Sequence, residues 1–140
     1  MKKSGSAVWQ GGLKDGKGAI STESGALSNQ PYGFNTRFEG VKGTNPEELL
    51  GAAHAGCFTM ALSLILGEAG FTATRMETSA DVSLDKLDSG FAITAVKLTL
   101  KAQIPNIDEA RFQELAAKAK AGCPVSKLFN TDITLEASLG

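Results

Sequence analysis

Asn45-Pro46-Glu47-Glu48-Leu49-Leu50-Gly51-Ala52-Ala53-His54-Ala55-Gly56-Cys57-Phe58, continuing through Thr59 to Glu68, reads as one helix with both ends marked. Asn45 offers a side-chain oxygen to the first free amides, and Pro46 suits the first helical position. Glu47 and Glu48 set negative charge against the positive end of the helix. The pattern runs to about Glu68, with Gly70 as its terminator. Leu49, Leu50, Ala53, Phe58, Met60, Leu62, Leu64 and Ile65 fall on every side. A helix apolar all round must be covered all round. A chain of 140 residues can hardly wrap it alone, so a partner subunit is expected to help. The 18 residues from Leu49 to Leu66 carry no formal charge. Gly51, His54, Gly56, Thr59 and Ser63 interrupt them, and no second apolar span accompanies them. A buried core helix is expected here rather than a membrane span.

Downstream, two segments alternate with period two. Met76, Thr78, Ala80, Val82 and Leu84 face one way, with Glu77, Ser79, Asp81 and Ser83 opposite. After the turn Asp88-Ser89-Gly90, Val96, Leu98, Leu100, Ala102 and Ile104 alternate with Lys97, Thr99, Lys101 and Gln103. One dry face and one wet face imply an antiparallel sheet covered on one side. A second helix is expected from about Asp108 to Ala121, with Phe112, Leu115, Ala116 and Ala119 inward and Gly122 closing it. Pro124 can open a further short turn through Leu128. A last strand alternates Ile133, Leu135, Ala137 and Leu139 against Thr134, Glu136 and Ser138.

Upstream, residues 7 to 23 form a small β unit, since Asp15-Gly16 between Val8-Trp9 and Ala19-Ile20 is a strong hairpin signal. Residues 24 to 45 carry many breakers and read as loop or edge strand, while also holding Tyr32, Phe34, Arg37 and Phe38. No repeat, low-complexity tract or linker divides the chain. The fold class is α+β, one domain over residues 1–140.

Composition narrows the function classes. Hydrophobic residues make up 42% and charged residues 21%, with a formal net charge of −1. Lys and Arg are scattered, which argues against a nucleic-acid partner, because displacing counterions needs a basic stripe. The basic start Met1-Lys2-Lys3 is not followed by an apolar run of signal-peptide length, so a cytoplasmic location is expected. In that reducing compartment two cysteines are more often reactive than structural.

Those cysteines, Cys57 in the long helix and Cys123 in Gly122-Cys123-Pro124-Val125-Ser126, lie 66 residues apart in sequence. That spacing excludes a Cys-x-x-Cys motif and a compact zinc cluster, and two thiols with one His are too few for a structural zinc site. Read alone, Cys57 is more readily a small apolar filler of a buried helix. Cys123 sits at a break between helices, where amides of a following turn can stabilise a thiolate. Spacing does not show that the sulfurs meet.

Longer stretches carry more. Gln30-Pro31-Tyr32-Gly33-Phe34-Asn35-Thr36-Arg37-Phe38-Glu39-Gly40 and Thr44 through Phe58 resemble the osmotically inducible protein C (OsmC) family, which includes the organic hydroperoxide resistance proteins. Ala80-Asp81-Val82-Ser83-Leu84-Asp85-Lys86 and Ala119-Lys120-Ala121-Gly122-Cys123-Pro124-Val125-Ser126 match the OsmC subgroup as well. The resemblance covers nearly the whole chain. It implies an OsmC-like fold, an intertwined homodimer with two sites at its interface, and a cofactor-free peroxidase acting on organic hydroperoxides. It maps the peroxidatic cysteine to Cys57, the resolving cysteine to Cys123, the motif arginine to Arg37 and its glutamate to Glu47. A lipoylated protein or another dithiol is the implied reductant.

The chemistry suits these groups. A thiolate must attack the O–O bond, and an ordinary thiol with pKa about 8.5 is mostly protonated at neutral pH. A guanidinium beside the sulfur favours the anion, and a carboxylate can hold that guanidinium by a bidentate pair. The sulfenic acid product condenses with a second thiol, and a dithiol resets the resulting disulfide. Glu47 and Cys57 are ten residues apart, about 15 Å along a straight helix, so Glu47 is expected to act across the dimer. His54 shares a helix face with Cys57 and either tunes the thiol or is simply a buried or solvent-facing histidine. Tyr32, Phe34, Phe38 and Phe58 line an apolar pocket for alkyl or lipid hydroperoxides, or are ordinary core. The reading from another class is a thiol-based redox sensor or small-ligand-binding module without turnover.

Overall fold

The hairpin expected at Asp15-Gly16 is present in the computed structural model, which describes residues 1–140. Strand β1 (Gly5–Gln10) pairs antiparallel with β2 (Lys17–Thr22), from Gly5 opposite Thr22 to Gln10 opposite Lys17. Gly11 opens the connection at φ +94°, where a side chain would be strained. Strand β3 (Gln30–Tyr32) pairs with the other edge of β2. Pro31 is tolerated there because an edge strand has a side that needs no ladder donor. The breaker-rich stretch also holds an element its pattern does not announce, the five-residue helix α1 (Phe34–Phe38). So short a helix cannot display a 3.6-residue period. Local bonds make it instead: the Gly33 N–H donates to Thr36 Oγ1 at 2.9 Å, and the Thr36 hydroxyl donates to the Gly33 carbonyl at 3.1 Å. These elements belong to the first of two compact units, Met1–Leu49 and Leu50–Gly140.

Helix α2 (Pro46–Glu68) begins and ends as its caps dictate. The Glu48 N–H donates to Asn45 Oδ1 at 2.8 Å, while Asn45 Nδ2 donates back to Glu48 Oε2 at 3.3 Å. At the far end Gly70 adopts φ +86°. Phe71 N–H then donates to the Leu66 carbonyl at 2.8 Å and Gly70 N–H to the Gly67 carbonyl at 3.1 Å, the paired bonds of a Schellman stop.

Within the single chain, α2 is buried along one stripe and not all round. Gly51, His54, Phe58, Leu62 and Leu66 are buried, a single stripe at spacings of three and four. Met60 and Leu64, on other faces, are 72% and 65% exposed in the single chain. Apolar residues on every side left the pattern unable to say which stripe its own chain would cover. The helix is long and apolar enough to cross a membrane by length and composition. Its stripe nevertheless packs as a core helix does, with Phe58, Leu62 and Leu66 in one cluster with Leu98, Leu100, Phe112, Leu115, Ala116 and Ala119.

The second sheet supplies the rest of that core. Strand β4 (Arg75–Leu87) pairs antiparallel with β5 (Gly90–Gln103), and β6 (Asp132–Leu139) joins the other edge of β5 in parallel. The sheet is therefore mixed, with only its first pair antiparallel. A parallel neighbour needs a crossover, supplied here by α3 (Glu109–Gly122) and α4 (Pro124–Leu128). Val96, Leu98, Leu100, Ala102 and Ile104 are buried, the alternate positions that the period-two pattern selects. Asp108 caps α3 by accepting from the Arg111 N–H at 2.8 Å, and the inward set Phe112, Leu115, Ala116 and Ala119 is buried as its spacing requires. Gly51 sits where α2 meets β4, because a Cβ there would lie 2.8 Å from the Ala80 carbonyl oxygen.

Candidate active site: two thiols and an ion pair

Cys57 and Cys123, separated by 66 residues, meet. Their sulfurs lie 2.9 Å apart, joined by a single S–H···S hydrogen bond, and both cysteines are free. Helix α2 delivers Cys57 one turn beyond buried His54, and the break between α3 and α4 delivers Cys123. That break follows from Pro124, which cannot continue α3 but can open α4 as its first residue. Cys123 is fully buried, whereas Cys57 is partly exposed. Cys57 opens onto an apolar recess of about 800 Å³ lined also by Met60, Ala61, Leu64, Ile65 and Pro124, with Lys118 its one charged side chain.

The two thiols differ electrostatically. Burial pushes the Cys57 thiol above its ordinary value, the contact with Cys123 adds to the rise, and the Val125 amide opposes it. Burial also raises Cys123, but there it is outweighed by the Cys57 hydrogen bond, the Ser126 amide and hydroxyl, and the Val125 amide, so the net direction is down. None of these amides closes a capping hydrogen bond onto the Cys123 sulfur. Within this unit, therefore, the shared proton favours Cys57. An anionic Cys57 needs a cation beside it.

His54 and Ser126 form a second link between the same two segments. His54 Nε2 lies 2.7 Å from Ser126 Oγ, both residues are buried, and the Phe129 ring meets the imidazole edge-on. His54 Nδ1 has no hydrogen-bond partner. Burial lowers the His54 pKa, so the ring is held neutral. Of the sequence alternatives for His54, the structure shows the buried, hydrogen-bonded one. Ser126 is not singled out by sequence reasoning. Its signal is the equal spacing of His54 to Cys57 and of Cys123 to Ser126, three residues each.

In the first unit, Arg37 and Glu47 form a bidentate pair. Arg37 Nε donates to Glu47 Oε2 at 3.1 Å and Nη2 to Oε1 at 2.5 Å. The Glu47 side chain is 11% exposed and that of Arg37 is 36% exposed, so the guanidinium keeps one side open. The Phe38 ring supports it, with Cζ 5.4 Å from the ring centroid. Helix α1 presents Arg37 and the first turn of α2 presents Glu47. Beside the pair is a cavity of about 210 Å³ lined by Trp9, Leu13, Tyr32, Phe34, Phe38 and Pro46. Three of the four aromatic residues expected at a pocket are there. Phe58 is not: it is fully buried in the core of the other unit. No group of three or more His, Cys, Asp or Glu side chains converges to hold a metal ion.

Comparison with known proteins places the chain in a family. A sequence model of the family described as OsmC-like protein matches residues 39–138. The chain is 63% identical to the peroxiredoxin OsmC of Escherichia coli strain K12 over 139 residues, covering 99% of this chain and 97% of that one. It is 34% identical to the organic hydroperoxide resistance protein OhrB of Bacillus subtilis strain 168, covering 85% and 88% of the two chains. The crystal structure of B. subtilis OhrB superposes with a TM-score of 0.72, covering 96% of this chain and 98% of that one. By sequence along nearly its whole length, and by fold, the chain belongs to the OsmC-like protein family of peroxiredoxins and organic hydroperoxide resistance proteins.

Proposed function

We propose that this protein is a cytoplasmic thiol-dependent peroxidase that reduces organic hydroperoxides, and hydrogen peroxide more weakly, without a bound cofactor. The observation that carries the reading is the 2.9 Å separation of Cys57 and Cys123 Sγ, with Cys57 lining an apolar recess. The names of the E. coli and B. subtilis relatives support it. In the first step the Cys57 thiolate attacks the peroxide, releasing the alcohol and leaving Cys57 as sulfenic acid. Cys57 is the attacking sulfur because it alone of the pair is exposed to an incoming substrate. In the second step the Cys123 thiol displaces water from the sulfenic acid and closes the disulfide, which requires the sulfurs to approach to about 2.05 Å. A dithiol, expected to be a lipoylated protein, then reduces the disulfide by exchange.

In this reading Arg37 is the cation that favours the Cys57 thiolate, and Glu47 fixes the guanidinium by the bidentate pair. The reading takes residues 1–140 as a single functional domain and places the complete site at the interface of a homodimer. The uncovered apolar face of α2, with Met60 and Leu64 exposed, supports that assembly, because a face of this kind is ordinarily covered by a partner.

The test is a Cys57→Ser variant assayed with an organic hydroperoxide and dihydrolipoamide, beside Cys123→Ser. Activity is expected to vanish in the first and to fall less, in a donor-dependent way, in the second. Full activity in Cys57→Ser rejects the assignment. A single stoichiometric oxidation of the wild-type protein without turnover would mark a redox sensor instead.

A further inference from the structure

Two segments of this chain cross at the thiols with a matched register. On α2, His54 and Cys57 are one helical turn apart. On the α3–α4 break and the turn that follows, Cys123 and Ser126 are also three residues apart. The segments are tied twice, by Cys57 Sγ to Cys123 Sγ at 2.9 Å and by His54 Nε2 to Ser126 Oγ at 2.7 Å. We infer that the His54–Ser126 pair positions Cys123, holding the resolving thiol against Cys57 so that its sulfenic acid is captured before a second peroxide arrives. The inference rests on the two-cysteine reading above.

The second tie is built for rigidity. His54 is fully buried and Ser126 is 8% exposed, so water does not compete effectively for their hydrogen bond. The tautomer follows from the orphaned Nδ1. Orphaned buried N–H groups are rarer than orphaned acceptors, which favours the tautomer with the proton on Nε2, donated to Ser126 Oγ. The serine hydroxyl hydrogen is then free to turn toward Cys123, and the Ser126 hydroxyl does act on that thiol, in the direction that favours its anion. A resolving sulfur so held is both near and nucleophilic. The Phe129 ring packs on the imidazole in a T-shaped contact, with centroids 5.2 Å apart.

Two fates compete for the oxidised Cys57. In the first, Cys57–SOH and Cys123–SH give the disulfide and water. In the second, Cys57–SOH and another hydroperoxide give the sulfinic acid and the alcohol, a dead end for ordinary dithiols. Loosening Cys123 slows only the first, so overoxidation grows with peroxide concentration.

The experiment compares wild type, Ser126→Ala and Ser126→Thr, all reduced, each treated with increasing cumene hydroperoxide. Mass spectrometry scores disulfide against Cys57 sulfinic acid, and single-turnover kinetics give the rate of the first oxidation. Ser126→Ala is expected to reach half sulfinic acid at a peroxide concentration at least fivefold lower, with the first rate within twofold of wild type. Ser126→Thr, which keeps the hydroxyl, is expected to restore the disulfide yield. A general loss of structure would instead lower the first rate and the melting temperature together. An unchanged partition in Ser126→Ala, with wild type forming the disulfide, overturns the inference alone. A wild type that forms no Cys57–Cys123 disulfide overturns the two-cysteine reading and this inference with it.

Discussion

Replacing Glu47 by Gln tests whether the guanidinium of Arg37 has to be held as well as charged. The carboxylate accepts two bonds, from Nε at 3.1 Å and from Nη2 at 2.5 Å. A glutamine of the same shape keeps one oxygen and turns an NH₂ group toward a second N–H donor, so one of the two bonds is lost. A hydrogen bond to a charged group contributes about 1.5–3 kcal/mol. With the Arg37 side chain 36% exposed, solvent competes and the lower end of that range applies, about 1.5 kcal/mol. That corresponds to roughly a tenfold fall in the equilibrium constant for holding the guanidinium in place. The second-order rate constant for Cys57 oxidation by cumene hydroperoxide, measured in a single turnover, should fall by up to about that factor. The dithiol-dependent reduction of the preformed disulfide should change less, because there the guanidinium acts only on a departing thiolate and not on the attacking sulfur. A circular-dichroism melt checks that the N-terminal turn of α2 still forms. If Glu47→Gln oxidises within twofold of wild type while Arg37→Met does not, Arg37 acts without being held by Glu47. If both match wild type, the ion pair has no part in the chemistry.

Two further outcomes follow from burial and close packing. Burial holds the His54 pKa below its ordinary value of 6.5, so unfolded chains take up a proton that the folded protein refuses. Stability is then full above pH about 6.5 and is lost as pH falls from there toward the depressed folded value. Urea midpoints between pH 7 and 5 should fall in wild type and stay flatter in His54→Gln; a wild-type midpoint independent of pH over that range would refute the buried neutral ring. Gly51→Ala brings a methyl group to 2.8 Å from the Ala80 carbonyl oxygen and is expected to destabilise by about 1–3 kcal/mol, despite alanine's better helix propensity. An equal or higher urea midpoint for this variant would show that α2 and β4 can part without loss.

Much of the architecture was legible because each long element carries its own local instructions. Asn45, Pro46 and Gly70 bound α2, and Asp108 starts α3. The period-two runs at 76–84 and 96–104 select the face of β5 that is buried. Three features were not legible. Helix α1 is too short for periodicity and depends on the Gly33–Thr36 bonds. The parallel pairing of β6 with β5 cannot be read from alternation, which is the same for either direction. The buried stripe of α2 was hidden by apolar residues on every face.

The site divides in the same way. Motif resemblance marked Cys57, Cys123, Arg37 and Glu47, since residue identity at those positions is a property of the chain as written. The sequence also determined that the two cysteines could not form a compact motif and that the long helix would carry one of them. Only the tertiary structure decided that the sulfurs approach to 2.9 Å, that Phe58 belongs to the core, and that His54 is tied to Ser126 across 72 residues of chain. The physical reason is that caps, turns and periodicity act over a few residues. Contacts between distant segments depend instead on how the apolar stripe of α2, the inner face of α3 and strand β5 close around one core.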